Sequence, residues 1–381
     1  MRIIVINVLL AVLLLSIGGC SRKDRVTSDK VYFAWVGPLT GSARQYGLTQ
    51  MMAVEIALED INAAGGILDG REVVVNFYDD QNDADEAVII ANRIVRARRY
   101  SAVIGHFAST PSMAAAPVYN EAELIMYSPT ASHADFSSLG GYIFRNTPTQ
   151  ALETTAYAEF VFNNLDIKTV GILNVHDDWG NNITSIFTDT FEALGGTIIL
   201  SESFQIDETR DFTPMITRMM HENPQAFFPV AYSSESARII IQMNSLQYRP
   251  ELVILTSSAL GQQLLDITGE MANGAFLMSA FTPDIQGDDF ARVMQAYREK
   301  TGGREGDHFL MQTYDVVRQL AEVINQANSA DSRVMRPVLA AMSNYPALAG
   351  PYGMNDAGDA IRRLQPIFIE DRRFVNVSDR Y

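Results

Sequence analysis

The chain has 381 residues, 47% of them hydrophobic, a single cysteine and a formal net charge of −16. That length supplies two cores rather than one, and an acidic balance with no basic stripe excludes nucleic acid as the expected partner. One cysteine leaves no internal disulfide, and the five histidines (His106, His133, His176, His221, His308) show no metal-ligand spacing.

The chain opens Met1-Arg2, runs apolar from Ile3 to Ile17 with breaks only at Asn7 and Ser16, and reaches Gly18-Gly19-Cys20. A short basic start, an apolar centre and small residues describe a secretory leader. The run is shorter than the ~20 residues of a membrane-spanning helix. Cys20 after small residues resembles the bacterial lipobox, which implies cleavage before it and diacylglycerol on its thiol. Residues 1–19 are thus expected to be a leader and 20–30 a lipidated tether, Ser21–Lys30 being polar and charged. Loss of Arg2 with the leader makes the mature chain one unit more negative.

Val31–Trp35 reads as a strand, and Gly37-Pro-Leu-Thr-Gly41 turns the chain. In the helix that follows, Met51, Val54, Leu58 and Ile61 share one face, and Gly65-Gly66 closes it. Arg71–Tyr78, rich in β-branched residues, is a second strand. Asp79–Asp83 lacks the Asp-x-Asp-x-Asp-Gly spacing of a calcium loop and reads as a solvated turn. Ala84–Arg98 is a helix whose basic end suits its dipole, and Ala102–Ile104 a strand. Ser109, Thr110 and Ser112 then precede a helix expected over Met113–Leu124. A strand that ends in hydroxyls at a helix start can hold an anion. A second strand end of the same kind follows at Ile125–Ser132.

Asn146–Thr149 offers a crossing to a second half with the same alternation. Helices are expected at Gln150–Leu165, Asn181–Leu194, Phe212–Glu222, Ser233–Leu246 and Leu264–Met271. Strands are expected at Thr169–Asn174, Thr197–Phe204, Ala226–Ala231, Leu252–Thr256 and Ala275–Ala280. Helices Asp288–Lys300, Phe309–Ala327 and Ser332–Met342 come next, and Arg363–Val377 reads as late strands. Connections this long cannot be hairpins. The fold class is therefore α/β, two Rossmann-like lobes with central parallel sheets, joined by three crossings. Ligands of such sheets sit outside the carboxyl ends of the strands. The crossings are expected near Thr147–Gln150, Ser279–Thr282 and Leu364–Pro366. Residues 31–149 with 280–364 would form one lobe and 150–279 with 365–381 the other.

No Gly-x-Ser-x-Gly, Gly-x-Gly-x-x-Gly or Gly-x-x-x-x-Gly-Lys stretch occurs, so neither enzyme activity nor a cofactor is expected. His106 is read as structural, and His176-Asp177-Asp178 as a polar loop presenting Trp179.

Gly37-Pro-Leu-Thr-Gly41, Gln45-Tyr-Gly47, Ile61-Asn-Ala-Ala-Gly-Gly-Ile67, Tyr78-Asp-Asp80, Val103-Ile-Gly-His106, Ser128-Pro129 and Phe144-Arg145 stand in one order along the chain. Together they resemble the periplasmic leucine/isoleucine/valine-binding proteins and their type I solute-binding relatives, from about Val31 to Gly358. The resemblance implies the type I periplasmic binding protein fold and a receptor that closes on a small ligand and delivers it to an ABC permease, working as a monomer and, through Cys20, anchored to a membrane. It implies that Ser109 holds a ligand carboxylate, with Phe107 and Ala108 beside it. Thr130, Ala131 and Ser132 match the next ligand-contacting turn. Tyr46, Trp179 and Tyr232 match family aromatics, Tyr232 within one residue. Asn82 and Ala108 stand where the branched-chain binder has a disulfide.

Two departures bear on the ligand. Gln150 and Ser258 stand where acids fixing a ligand ammonium are expected, and an ammonium buried without a carboxylate is costly. A carboxylate ligand with an apolar or neutral far end, an aromatic or aliphatic organic acid, is therefore expected; an amino acid is the alternative. A lipoprotein sensor or a regulator of a partner protein is a reading from another class.

Overall fold

The computed structural model of the chain describes residues 29–206, 208–281 and 285–381. The leader, Cys20, the tether up to residue 28 and Thr282 of the second expected crossing lie outside those residues.

Strand β1 (Lys30–Gly37) is central to the first sheet because Phe33, Ala34, Trp35 and Val36 are all fully buried. A parallel strand covered on both faces reads as a continuous apolar run. With β2 (Glu72–Asp79), β3 (Tyr100–Gly105), β4 (Ile125–Ser128) and β5 (Ile143–Arg145) it forms a sheet of order β2-β1-β3-β4-β5, every pair parallel. The connecting helices are α1 (Arg44–Ala63), α2 (Ala84–Ala97) and α3 (Ser109–Glu121). Helix α2 starts on Asp83, whose carboxylate accepts the Glu86 N–H at 2.9 Å.

The second assembly runs α4 (Gln150–Asn163), β6 (Thr169–Val175), α5 (Asp178–Ala193), β7 (Thr197–Phe204), α6 (Thr213–Glu222), β8 (Ala226–Val230), α7 (Ser233–Ser245) and β9 (Leu252–Val253). Its strands order as β7-β6-β8-β9, all parallel. Edge strand β7 alternates between exposed and half-buried residues because only one face is covered. After α8 (Gln262–Thr268), strand β10 (Phe276–Ser279) joins this sheet through a parallel bridge between Ile254 and Phe276.

The chain then returns. Helices α9 (Asp288–Thr301), α10 (His308–Ala327) and α11 (Ser332–Ala340) follow, and α10 packs lengthwise on α1. The hairpin of β11 (Gly353–Met354) and β12 (Ala360–Ile361) brings Asp359 into a parallel bridge with Arg145 at the edge of the first sheet. Finally β13 (Gln365–Glu370) pairs antiparallel with β10, and β14 (Arg373–Asn376) with β13. The chain thus passes between the two sheet assemblies after Arg145, after Ser279 and after Ile361.

Several elements depart from expectation. Helix α3 begins at Ser109, not Met113, because Pro111 occupies its first turn, where a missing amide costs nothing. Helix α5 begins at Asp178 on an Asp177 cap rather than at Asn181. The ladder expected over Leu252–Thr256 is only Leu252–Val253, and Thr256 and Ser258 instead turn their hydroxyls onto the Ala231 carbonyl. The late strands are split at Asp371-Arg372, both left-handed.

Candidate functional site

One wall of the site is made by the turns after β3 and β4. Strand β3 ends at Gly105, φ +131°, where a Cβ would stand 2.1 Å from the Val36 carbonyl oxygen; only glycine fits so close to β1. His106 follows, fully buried, its Nδ1 2.6 Å from Asp80 Oδ2 and its Nε2 3.4 Å from the Tyr119 hydroxyl. The Asp79–Asp83 turn is therefore not simply solvated: Asp80 is buried as the partner of His106. Asp79 accepts the Leu39 N–H at 2.8 Å and the Thr40 hydroxyl at 2.6 Å, closing the Gly37–Gly41 turn. Burial, which raises its carboxyl, is outweighed by the Thr40, Leu39 and Gln81 donors, which leave it below its ordinary value. Among the described residues no cluster of side chains suits a metal ion.

Hydroxyls tie these two turns together. Ser128 donates to the His106 carbonyl at 2.8 Å and accepts the Ala131 N–H at 2.9 Å. Thr130 donates to the Phe107 carbonyl at 2.6 Å. Ser109 Oγ accepts the His133 N–H at 3.2 Å. Arg145, fully buried and paired with Asp359 at 2.5 Å, donates to the His133 carbonyl at 2.6 Å. Ser109 thus accepts from the protein and keeps its proton to give. The Ser132 hydroxyl faces the cavity with no hydrogen bond among the described residues. The Ser109 and Thr110 amides at the start of α3 have no intrahelical acceptor. Ser109, at the N-terminus of α3, and Ser132 thus line the same cavity, an arrangement that suits an anion.

The facing wall is aromatic. Trp179, in the first turn of α5, stacks on Tyr232 with centroids 4.6 Å apart and planes 14° from parallel. The Tyr232 hydroxyl donates to Asp177 at 3.2 Å, and Asp177 also caps α5 through the Gly180 N–H at 2.7 Å. Burial pushes the Asp177 carboxyl up to about 6. Beside these rings lies Glu153, one turn beyond Gln150 on α4. Burial pushes its carboxyl up to about 7, and a hydrogen bond from Ser257 acts the other way. Helix α10 closes the third side with His308, Phe309 and Gln312. His308 donates from Nδ1 to the Leu260 carbonyl at 2.9 Å, and burial lowers its pKa to about 4, so its ring is neutral at pH 7.

Between these walls lies a cavity of about 50 Å³, room for only a few water molecules. It adjoins an outer chamber of about 400 Å³ with which it shares Ser258 and Phe309. The cleft is shut around it: the Tyr46 and Tyr232 rings meet at 6.0 Å, and the Ala134 N–H reaches Asn182 Oδ1 at 3.3 Å.

Of the residues expected from sequence, Phe107, Ala108, Ser109, Thr130, Ser132, Trp179, Tyr232 and Ser258 line the cavity. Three do not. Tyr46 stacks on Phe107 at 4.9 Å and lines the outer chamber. Ala131 is fully buried behind the turn. Gln150 is turned aside, donating to the Trp179 carbonyl at 2.9 Å. Sequence reasoning missed Glu153, Ser257, Phe281, His308, Phe309 and Gln312. For Glu153 a signal existed, since it shares a helix face with Gln150 three residues earlier. The carboxylate absent at Gln150 and Ser258 is thus present at Glu153. Among the described residues, no lysine or arginine lines the inner cavity.

Residues 30–367 match the family described as periplasmic binding protein. The leucine-, isoleucine-, valine-, threonine- and alanine-binding protein of Pseudomonas aeruginosa is 25% identical over 338 residues, 88% of each chain. A leucine-binding protein of Thermotoga maritima superposes with a TM-score of 0.82 at 23% identity, covering 91% of this chain and 98% of its own. An ABC-transporter solute-binding protein of Rhodopseudomonas palustris, solved with 3,4-dihydroxybenzoic acid, superposes with a TM-score of 0.82 at 20% identity, covering 92% and 96%.

Proposed function

Because the chain belongs to the periplasmic binding protein family, in the branch of the leucine/isoleucine/valine-binding proteins, we propose that it captures a small carboxylate-bearing ligand between its lobes and hands it to an ABC importer of the branched-chain amino acid type. The observation that carries this reading is that Ser109, at the start of α3, and Ser132 line the same cavity, each with a hydroxyl proton available to a ligand. The ligand is an organic acid with a flat or apolar body, held between Phe107, Phe309 and the Trp179–Tyr232 stack. The receptor works as a monomer on the periplasmic side or at the cell surface, anchored to a membrane by a diacylglycerol on Cys20. A mass spectrum of the N-terminal peptide from detergent-extracted protein tests the anchor.

A second reading, an amino acid ligand, is favoured by one observation: Glu153 puts a carboxylate in the cavity wall where an ammonium could meet it. Calorimetric titration with benzoate and with leucine separates the two. Micromolar binding of benzoate supports the organic acid; binding of leucine alone removes it. Thermal shift across a metabolite panel tests both, since a ligand at a hundredfold excess over Kd adds about 2.7 kcal/mol. No response to any small molecule would favour a protein partner.

A further inference from the structure

Two buried polar side chains of the inner cavity have hydrogen-bonding atoms without partners, and they stand one turn apart. His308 opens α10 and Gln312 lies four residues on, so the two share a face of the helix, and both line the cavity. His308 is 5% exposed and Gln312 2%. A carbonyl oxygen only accepts, so the bond from His308 Nδ1 to the Leu260 carbonyl at 2.9 Å places the ring proton on Nδ1. Leu260 lies in the segment after β9, in the second sheet assembly, whereas α10 packs on α1 of the first. Phe281 and Phe309 flank the ring, with centroids 5.8 Å and 3.9 Å away. Burial of this kind keeps the imidazole neutral. In a neutral ring with the proton on Nδ1, Nε2 is an acceptor and nothing else. It makes no hydrogen bond among the described residues.

Gln312 adds a second idle group. Its backbone carbonyl accepts from Asn146 at 2.9 Å, but its side-chain amide makes no hydrogen bond among the described residues. Buried polar groups without partners are costly, and in a ligand cavity the missing partner is one that the ligand brings. An acid with a wholly apolar body would leave both side chains as they are. A hydroxyl can give its proton to Nε2 and accept from the Gln312 amide, whereas an ammonium only donates.

We propose that His308, supported by Gln312, is a specificity-determining residue that accepts a hydroxyl proton from the ligand, so that the acid bound here is a hydroxy acid rather than its unsubstituted analogue. This deepens the organic-acid reading and rests on it. The site then reads two polarities in one molecule. Ser109 and Ser132 give protons to the carboxylate, and His308 takes one from the hydroxyl.

The test is calorimetric titration with benzoate, the hydroxybenzoates and the matching fluorobenzoates, whose fluorine is close to a hydroxyl in size and has no proton to give. In the wild type at least one hydroxybenzoate is expected to bind about tenfold tighter than benzoate, and its fluoro counterpart to show no such gain. The readout in variants is the ratio of the hydroxybenzoate and benzoate affinities within each protein, which a general loosening of the cleft leaves unchanged. His308→Asn supplies an amide N–H near the place of Nδ1 and removes Nε2, and it is expected to bring the ratio to about one. Gln312→Met is expected to lower it by about threefold. A ratio that survives in His308→Asn, or a wild type that takes hydroxybenzoates no better than benzoate or the fluorobenzoates, overturns this inference and leaves the organic-acid reading standing. Binding of none of these acids removes both. Should His308→Asn fail to fold, Gln312→Met decides by the same ratio.

Discussion

On the wall formed by the ends of β3 and β4, the hydroxyls of Ser109, Ser128 and Thr130 are tied to the backbone of the neighbouring turn. On the facing wall, rings touch rings and one carboxylate is left toward the cavity. The first wall is cross-linked by these hydrogen bonds, and it offers a polar spot at the start of α3. The second is held by shape, so its contribution is the fit of the ligand body. The contrast teaches where each kind of substitution will register: in stability and carboxylate affinity on the first, in ligand choice and pH response on the second.

The largest effect is expected at Asp80, beneath the first wall. Asp80→Ala leaves the buried His106 ring without its partner and should cost about 3 kcal/mol of stability, read as a lower Tm. If the melt is unchanged, the turn is held by something other than this pair. Next comes Ser109→Ala, expected to weaken the acid ligand at least roughly tenfold, about 1.4 kcal/mol, and to lower the Tm of the empty protein modestly because the His133 N–H loses its acceptor. Unchanged affinity would take the carboxylate off this wall.

Glu153 gives a pH-dependent effect with a definite sign. Its carboxyl in the folded protein sits near 7 against an ordinary 4.5, so the native state holds a proton that the unfolded chain releases. Stability from this group is present below its ordinary value and is lost as pH rises through about 7. Tm should fall from pH 5 to pH 8 more in the wild type than in Glu153→Gln. Affinity for benzoate should fall over the same rise, as the ionised carboxylate repels an anion, whereas an ammonium-bearing ligand should bind better. A flat profile in the wild type would mean that Glu153 does not face the ligand. Smallest is Trp179→Leu, which forfeits the stack on Tyr232, about 0.5–1 kcal/mol of ligand affinity, and should penalise flat acids more than aliphatic ones. Equal losses for both would make the ring a filler rather than a selector.

The first wall was legible in sequence and the second only in part, for a physical reason. Ser109, Thr130 and Ser132 sit at strand ends within one stretch, so alternation and turn chemistry lead straight to them. His308, Phe309 and Gln312 reach the cavity because α10 packs back on α1 from more than two hundred residues away, and Phe281 because it follows β10, which no local pattern encodes. Asp80 was read as solvated because its burial depends on His106, one strand further on. Gln150 misled for the opposite reason: it lies at an expected position, yet the Trp179 carbonyl claims its amide.

The chain holds only two tryptophans, and the fold treats them differently. Trp35 lies fully buried in the first sheet with its ring against Phe77, while Trp179 lines the cavity against Tyr232. The protein therefore carries its own optical reporter. Intrinsic fluorescence should consist of one constant emitter and one that changes as the cleft shuts, so that ligand entry can be timed in a stopped-flow mixer without any added label.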